Sequence, residues 1–279
     1  MRLAGALVLV VAGLTAPQWS ARADELVSAE PKPSAHPLEK TMQYAIARAQ
    51  YIREHVRDYT CQLIKRERIA GTLQSYQYAL TKVRCERRTD DRVVQPLAVL
   101  MEFKKPASMK GRMVLYVEGE NDGLVLVRKG GRGVLKGVEL KFDPLGNAAK
   151  RESNHPITDI GLSKLIERLI ERIENDIEHD PTGSNTVVSY FRKAKVGDRE
   201  CTHIQVTHPQ HGDGFDYYRA SLYVDDEMQV PIRLVAYDWP EKEGEKPVLL
   251  EEYNYVNLKL NVGLSDEEFL KSTHFDEEE

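Results

Sequence analysis

The run Leu249-Leu250-Glu251-Glu252-Tyr253-Asn254-Tyr255-Val256-Asn257-Leu258-Lys259-Leu260-Asn261-Val262-Gly263-Leu264-Ser265-Asp266-Glu267-Glu268-Phe269 carries more architectural information than any other part of the chain. It reads as a final strand, a turn and a short capped helix. Leu249 and Leu250 open it, Tyr253, Tyr255, Leu258 and Leu260 carry apolar surface, and Gly263 breaks it. Ser265 with Glu268 has the spacing of a capping box, in which each end of the pair satisfies a backbone N–H at a helix start.

Upstream, the same strand chemistry recurs. From Tyr59 the apolar period is two, which predicts strands over Tyr59–Ala70, Ser75–Glu86, Leu97–Lys104, Arg112–Glu118, Leu124–Lys129 and Gly133–Phe142. Asn121-Asp122-Gly123 and Lys129–Gly133 are turn signals between them. After a helix the pattern resumes at Thr186–Val196, Thr202–Thr207, Phe215–Val224, Pro231–Asp238 and Val248–Leu260, with Asp225-Asp226-Glu227 as a hairpin tip. The gaps are too short for crossover helices, so the sheet is expected to be an antiparallel meander with one wet face and one dry face.

Two stretches change period to 3.6. Leu38, Met42, Ala45, Ile46, Ala49, Ile52 and Val56 form one apolar stripe. Leu162, Leu165, Ile166, Leu169, Ile170, Ile173 and Ile177 form a stronger one, with Thr158 or Ser163 as cap and Pro181 and Gly183 as the stop. The expected fold class is α+β: a strongly curved antiparallel sheet of about eleven strands, an incomplete β-barrel, with two long amphipathic helices plugging its concave side.

The N-terminus predicts export. Arg2 precedes an apolar run from Leu3 to Leu14, and Ala21-Arg22-Ala23 supplies the small-x-small pattern before a cleavage site, so residues 1–23 read as a leader removed before Asp24. Twelve apolar residues are too few to span about 30 Å of hydrocarbon, and no cysteine follows to carry a lipid. Residues 24–36 are polar, contain Pro31 and Pro33, and read as a disordered lead-in. A single domain is expected over 37–275, then an acidic tail over 276–279. A periplasmic or otherwise exported protein without a transmembrane span follows.

Formal charge is −5 for the whole sequence and −7 once Arg2 and Arg22 leave with residues 1–23 (37 basic against 44 acidic groups), which argues against general nucleic-acid binding. Its distribution is uneven: residues 60–151 carry 19 Lys and Arg against 10 Asp and Glu, whereas residues 152–279 carry 13 against 28. The basic part would favour an anionic ligand or headgroup. In an oxidising compartment, one disulfide among Cys61, Cys85 and Cys201 is expected. A hairpin centred on residue 73 would set Cys61 opposite Cys85, with Cys201 as the competing partner.

Motifs for chemistry are weak. His208, His211, Asp213 and Asp216 crowd one loop near His203, but without an HExxH helix or a cysteine pair. His155 before Pro156 suits a turn or cap. Gly130-Gly131-Arg132-Gly133 lacks the Gly-Lys-Ser/Thr ending of a phosphate loop and reads as a hairpin turn. Glu251-Glu252 and Asp225-Asp226 are adjacent rather than facing pairs. No catalytic residue, cofactor or metal is predicted.

The order of leader, helix, strand meander, lid helix and strand-rich finish resembles the periplasmic outer-membrane lipoprotein carrier and sensor superfamily. Within it, Tyr59-Thr60-Cys61 with Lys65-Arg66-Glu67-Arg68, Lys110-Gly111-Arg112 through Tyr116–Gly123, His155-Pro156-Ile157-Thr158-Asp159-Ile160-Gly161 and the C-terminal run are similar to an uncharacterised exported bacterial family bearing a domain of unknown function. The resemblance implies a cavity for acyl chains between sheet and helices. Its expected lining is Leu162, Leu165, Ile166, Leu169 and Ile173 from the lid, with Tyr76, Tyr78, Tyr253 and Tyr255 from strands. The expected function is non-enzymatic binding of a lipid, a lipoprotein acyl chain or another apolar-tailed ligand in envelope transport or sensing. The alternative is an exported interaction or structural protein without lipid cargo, meeting an envelope partner through a basic sheet face around Lys65, Arg66, Arg68, Lys82 and Arg84.

Overall fold

The computed structural model describes residues 36–275 apart from 91, 133–135 and 243. The expected leader (1–23), all of the lead-in except His36, and the acidic tail (276–279) lie outside the described residues.

Helix α1 (Glu39–His55) buries Ala45, Ala49 and Ile52, with Leu38 and Val56 sealed at its two ends. Ile46 does not join them: it is 49 % exposed, because one residue beyond Ala45 lies about 100° further round the helix. Strands β1 (Asp58–Ile69), β2 (Thr72–Leu73), β3 (Gln77–Arg84), β4 (Arg87–Thr89), β5 (Arg92–Gln95) and β6 (Ala98–Lys105) follow. Strands β7 (Met113–Val117), β8 (Val125–Arg128) and β9 (Glu139–Phe142) complete the first meander. Helix α2 (Leu162–His179) precedes β10 (Val187–Val196), β11 (Arg199–Thr207), β12 (Arg219–Asp225), β13 (Pro231–Asp238) and β14 (Val248–Leu260).

The main sheet runs β10-β11-β12-β13-β14-β1-β3-β6-β7-β8-β9, with β2 on β1; β4 and β5 form a separate hairpin that periodicity does not reveal. All its pairings are antiparallel. The two ends, β10 and β9, do not pair, so the barrel is incomplete. The final strand therefore does not lie at an edge. It is the seam: β14 pairs with β13 on one side and β1 on the other, joining two meanders into one sheet.

That seam explains an irregular spacing. Tyr253, Tyr255, Leu258 and Leu260 all pack into one core, although strict alternation would turn 258 and 260 the other way. The register against β1 shifts between Thr60 and Gln62, and Asn257 stands at φ +54°. One bulged residue reverses the parity and keeps the apolar side chains inward.

The other face is not wet throughout. Ala98, Leu100, Leu115, Val117 and Leu126 point away from the helices and form a second core with Phe269 and Phe275. The segment after β14 crosses the back of β6–β8 as a 3-10 turn (Asp266–Phe269) and a short helix (Lys271–Phe275). Ser265 makes no side-chain cap bond, so the capping-box expectation is replaced by anchoring through Phe269. Likewise neither Thr158 nor Ser163 caps α2. Gly161 occupies its N-cap at φ +146°, ψ 149°, backbone that only glycine adopts readily, and its carbonyl accepts from Leu165 N at 2.9 Å.

If the C-terminal segment is an integral cover of the sheet's outer core, Phe269→Ala will cost about 3–5 kcal/mol in urea unfolding. A loss below about 1 kcal/mol, the range of ordinary surface substitutions, would mean that the segment is only loosely attached.

Candidate functional site

Alternation along the seam decides what faces the helices. On β1, Leu63, Lys65 and Glu67 turn inward; on β14, Glu251, Tyr253 and Tyr255 do the same, with Lys65 opposite Tyr253 and Glu67 opposite Glu251. Glu67 is only 2 % exposed and collects donors. Lys65 Nζ donates to Oε2 at 2.7 Å, Ser153 Oγ to Oε1 at 2.9 Å, Asn154 N to Oε1 at 3.2 Å, and the Tyr253 hydroxyl donates to the same oxygen. Burial alone would raise the Glu67 carboxyl, but the Lys65 ammonium and the hydroxyls of Tyr253 and Ser153 outweigh it and hold it below the ordinary value of 4.5. Burial, with Glu251 and Glu67 nearby, pushes the Tyr253 phenol well above 10.0.

Ser153 and Asn154 belong to a strap between β9 and α2. His155 Nε2 lies 2.8 Å from Glu251 Oε2, Arg112 Nη1 donates to Glu152 Oε2 at 2.6 Å, and Arg168 Nη1 lies 3.5 Å from Asp159 Oδ2. The strap closes over the concave face through these contacts.

Two cavities remain beneath it. The first, ≈ 320 Å³, lies against the first meander and is lined by Met101, Phe103, Val114, Val127, Phe142 and Ile160 among others. The second, ≈ 310 Å³, lies against β11–β13 and both long helices, with Tyr44, Leu169, Ile173, Val206, Leu222 and Leu234 in its wall. Leu165, Arg168 and His155 belong to both. Polar groups divide the cavities unequally: Lys65, Arg112, Lys129 and Arg168 face the first against Glu152 and Asp159, while Arg168 and Arg172 face the second against Asp216 and Glu251.

Of the residues expected at a ligand, Leu165, Tyr253 and Tyr255 line the first cavity, and Leu165, Leu169 and Ile173 line the second. Leu162 and Ile166 are sealed in the core, each at 0 % exposure, and line neither. Tyr76 and Tyr78 stand on the opposite face, where Tyr76 donates to Glu252 at 2.8 Å and Arg66 and Lys105 lie over the two rings. The inward residue between them is Gln77.

The expected disulfide does not form; all three cysteines are free and buried. The turn after β1 is the two-residue Ala70-Gly71, both at positive φ, and leads into β2; β3 then pairs with β1 in a register centred two residues earlier than expected, so Cys61 faces Thr81 rather than Cys85. Burial pushes the thiols of Cys61 and Cys85 up to about 12 and that of Cys201 to about 11.

The loop histidines are dispersed. His208 is fully buried, its Nε2 3.2 Å from Asp176 Oδ2, which also accepts from Tyr217 at 2.6 Å; His211 packs on Trp239, and His203 is stacked between Phe191 and Tyr223. Among the described residues, no group of three or more His, Cys, Asp or Glu side chains is placed to hold a metal ion. Nor is the basic face continuous. Lys65 points inward, Arg84 meets Asp266 and the Phe269 ring, Lys82 lies 3.5 Å from Glu268, and Arg68 donates to backbone carbonyls. Alternation and the C-terminal cover break up what looks contiguous in sequence.

The sequence reading passes over Glu67, Ser153, Glu251, Arg168 and Lys129 as site residues. Their signal is conditional: Lys65-Arg66-Glu67-Arg68 puts two opposite charges on a face that must be dry once the strand is central.

Residues 56–274 match the family described as "Protein of unknown function (DUF1571)". Among solved structures, the chain is similar to a DUF1329 family protein from Desulfovibrio piger, at 15% identity and a TM-score of 0.39 over 86% of this chain and 100% of that one. It is similar to a putative outer membrane lipoprotein-sorting protein domain from Vibrio parahaemolyticus at 12% identity and a TM-score of 0.38, over 84% and 98%. It is also similar to the lipoprotein LppX from Mycobacterium tuberculosis at 10% identity and a TM-score of 0.41, over 81% and 98%. No curated protein matches.

The Glu67 cluster makes stability pH-dependent with a defined sign. A folded-state pKa below the unfolded one means that the native state binds fewer protons, so the contribution is complete above about pH 4.5 and is lost as pH falls through the lower folded value. Glu67→Gln should therefore cost about 3 kcal/mol at pH 7, leaving Lys65 without its charge partner. The gap between variant and parent should narrow in urea titrations below pH 4.5. A gap that stays constant down the acid limb would rule out an ionised Glu67 as the cause.

Proposed function

The chain belongs to the DUF1571 family, whose description assigns no activity, and we propose from the cavity that it is a non-enzymatic exported binding protein for a lipid, an acyl chain or another apolar-tailed ligand. The observation that carries this reading is the first cavity, ≈ 320 Å³, walled by apolar side chains from six strands, the strap and α2. Protein interiors are normally packed to crystal density. An apolar space of this size with a few convergent polar groups has the build of a ligand site. Each methylene buried there contributes about 0.8 kcal/mol, so a partial chain is enough for useful affinity.

The strap supplies the closure. Carriage of a ligand requires entry and release, and the strap is held by side-chain contacts to Glu67, Glu251, Arg112 and Arg168 rather than by strand pairing. Export is supported by the leader-like residues 2–23. Among the described residues no helix is long and apolar enough to cross a membrane.

Mass spectrometry of the organic-solvent extract from protein purified without detergent tests the reading. A stoichiometric acylated species is expected. Val114→Trp, which places a large ring in the first cavity from β7, should reduce that species at least about tenfold, the effect of losing roughly 1.4 kcal/mol. An empty extract together with no uptake of added fatty acid would sink the proposal. A folded Val114→Trp protein carrying its full cargo would refute the placement.

A further inference from the structure

The first cavity has a chemical polarity that its apolar walls do not require. Arg112 and Lys129 both line it and stand just beyond the Met113–Arg128 pair of β7 and β8, where the two backbones lie unusually close. A Cβ on Gly130 would lie 2.1 Å from Arg112 N and 2.6 Å from Lys110 O, and one on Gly131 would lie 2.4 Å from Ser108 O. Only glycine lets the 129–131 turn lie on the 108–112 turn, where Gly131 N donates to Lys110 O at 2.8 Å. The Gly130-Gly131 pair is thus a mount that sets two cations side by side.

Their charges are incompletely matched. The Lys129 ammonium has no hydrogen-bond or ion-pair partner among the described residues, and Arg112 spends Nη1 on Glu152 while its buried Nε has none. At the shared wall of the two cavities, Arg168 Nη1 is buried without a hydrogen bond, since its 3.5 Å approach to Asp159 lacks the geometry of one. Lys129 also borders a surface recess with Arg128 and Lys136. Buried donors left unpaired are costly, and cations beside an apolar chamber attract an acceptor that arrives attached to an apolar tail.

We propose that the ligand of this cavity is an anionic amphiphile whose acidic headgroup, a carboxylate or a phosphate monoester, is held at Lys129 and Arg112 while its alkyl chain fills the chamber toward Leu165 and Tyr255. This rests on the reading of the cavity as a ligand site and adds the headgroup class. The selectivity arises because an alcohol oxygen accepts a hydrogen bond but brings no charge to match Lys129 and Arg112, whose bonds to an anionic oxygen are the stronger kind.

Four ligands of equal chain length separate the two claims by isothermal titration below their micelle concentrations: dodecanoate, dodecyl phosphate, dodecanol and dodecylamine. Dodecanoate, dodecyl phosphate or both should bind at least about tenfold more tightly than dodecanol, the scale of one hydrogen bond to a charged group, and dodecylamine most weakly. The better of the two anions identifies the headgroup. Lys129→Gln should reduce the anion-to-alcohol affinity ratio roughly three- to tenfold and Lys129→Arg should restore it. A ratio near one, or a ratio unmoved by Lys129→Gln, overturns the headgroup assignment while leaving the tail cavity standing. Failure of all four to bind overturns both.

Discussion

Everything in this molecule depends on one pairing, that of the last long strand with the first. Each meander alone is a sheet of consecutive hairpins with an apolar face and two bare edges, a form that is sticky and poorly defined. The β14–β1 register, from Tyr59 opposite Leu260 to Glu67 opposite Glu251, removes two of those edges and makes a single curved sheet that two helices can cover. The join is also pinned at its end: Asp58 Oδ1 accepts from Val262 N at 2.7 Å and Gly263 N at 3.1 Å, and Asn261 Nδ2 donates to His55 O at 2.8 Å. Segments 204 to 206 residues apart in sequence therefore specify the middle of the sheet.

Making β1 central has a cost that becomes the site. A central strand presents its inward side chains to a dry interior, yet β1 carries Lys65 and Glu67 there. Isolated buried charges are prohibitive, and these are tolerated because each satisfies the other and because Ser153, Asn154 and Tyr253 saturate the remaining positions on the carboxylate. Two of the three partners that complete this set, Ser153 and Asn154, come from the strap, so the polar cluster that makes the seam tolerable also determines where the lid rests. Stability and closure share the same hydrogen bonds.

Local pattern was informative where the physics is local. Period-two runs located β13 and β14 to the residue, and the 3.6 period located both long helices, because those signals are set by burial on one face. What escaped was long-range. Ser153 and His155 bond to residues 86 and 96 positions away, and no spacing rule connects them. The β1–β3 register follows from a tight Ala70-Gly71 turn into β2 and the break over 74–76 before β3, neither of which periodicity marks, and it sets Cys61 opposite Thr81 instead of Cys85. Tyr76 and Tyr78 fell on the wrong face for the same reason that Leu258 and Leu260 fell on the right one: parity is absolute along a strand until a bulge resets it. Every segment supporting the family resemblance lies inside the matched residues 56–274, so composition and motif were legible at the family level even where side-chain placement was not.

The uneven charge of the sequence acquires meaning in three dimensions. Residues 60–151 build the first meander and therefore the strand wall of the first cavity apart from β14; three of its four cations, Lys65, Arg112 and Lys129, are drawn from that basic stretch, and the fourth, Arg168, comes from α2. The second cavity takes its strand wall from the acidic stretch, and its charged lining is balanced. Two chambers of nearly equal volume that share Leu165 and Arg168 of α2 are thus electrostatically different, and the difference follows from which meander each one faces. Long-range repulsion between like charges is screened over about 8–10 Å at ordinary ionic strength, so a general excess of Lys and Arg would matter little for a ligand. What matters is that strand alternation turns a few of these groups inward, half-buried beside apolar walls, where a charge interacts more strongly than at a fully exposed position.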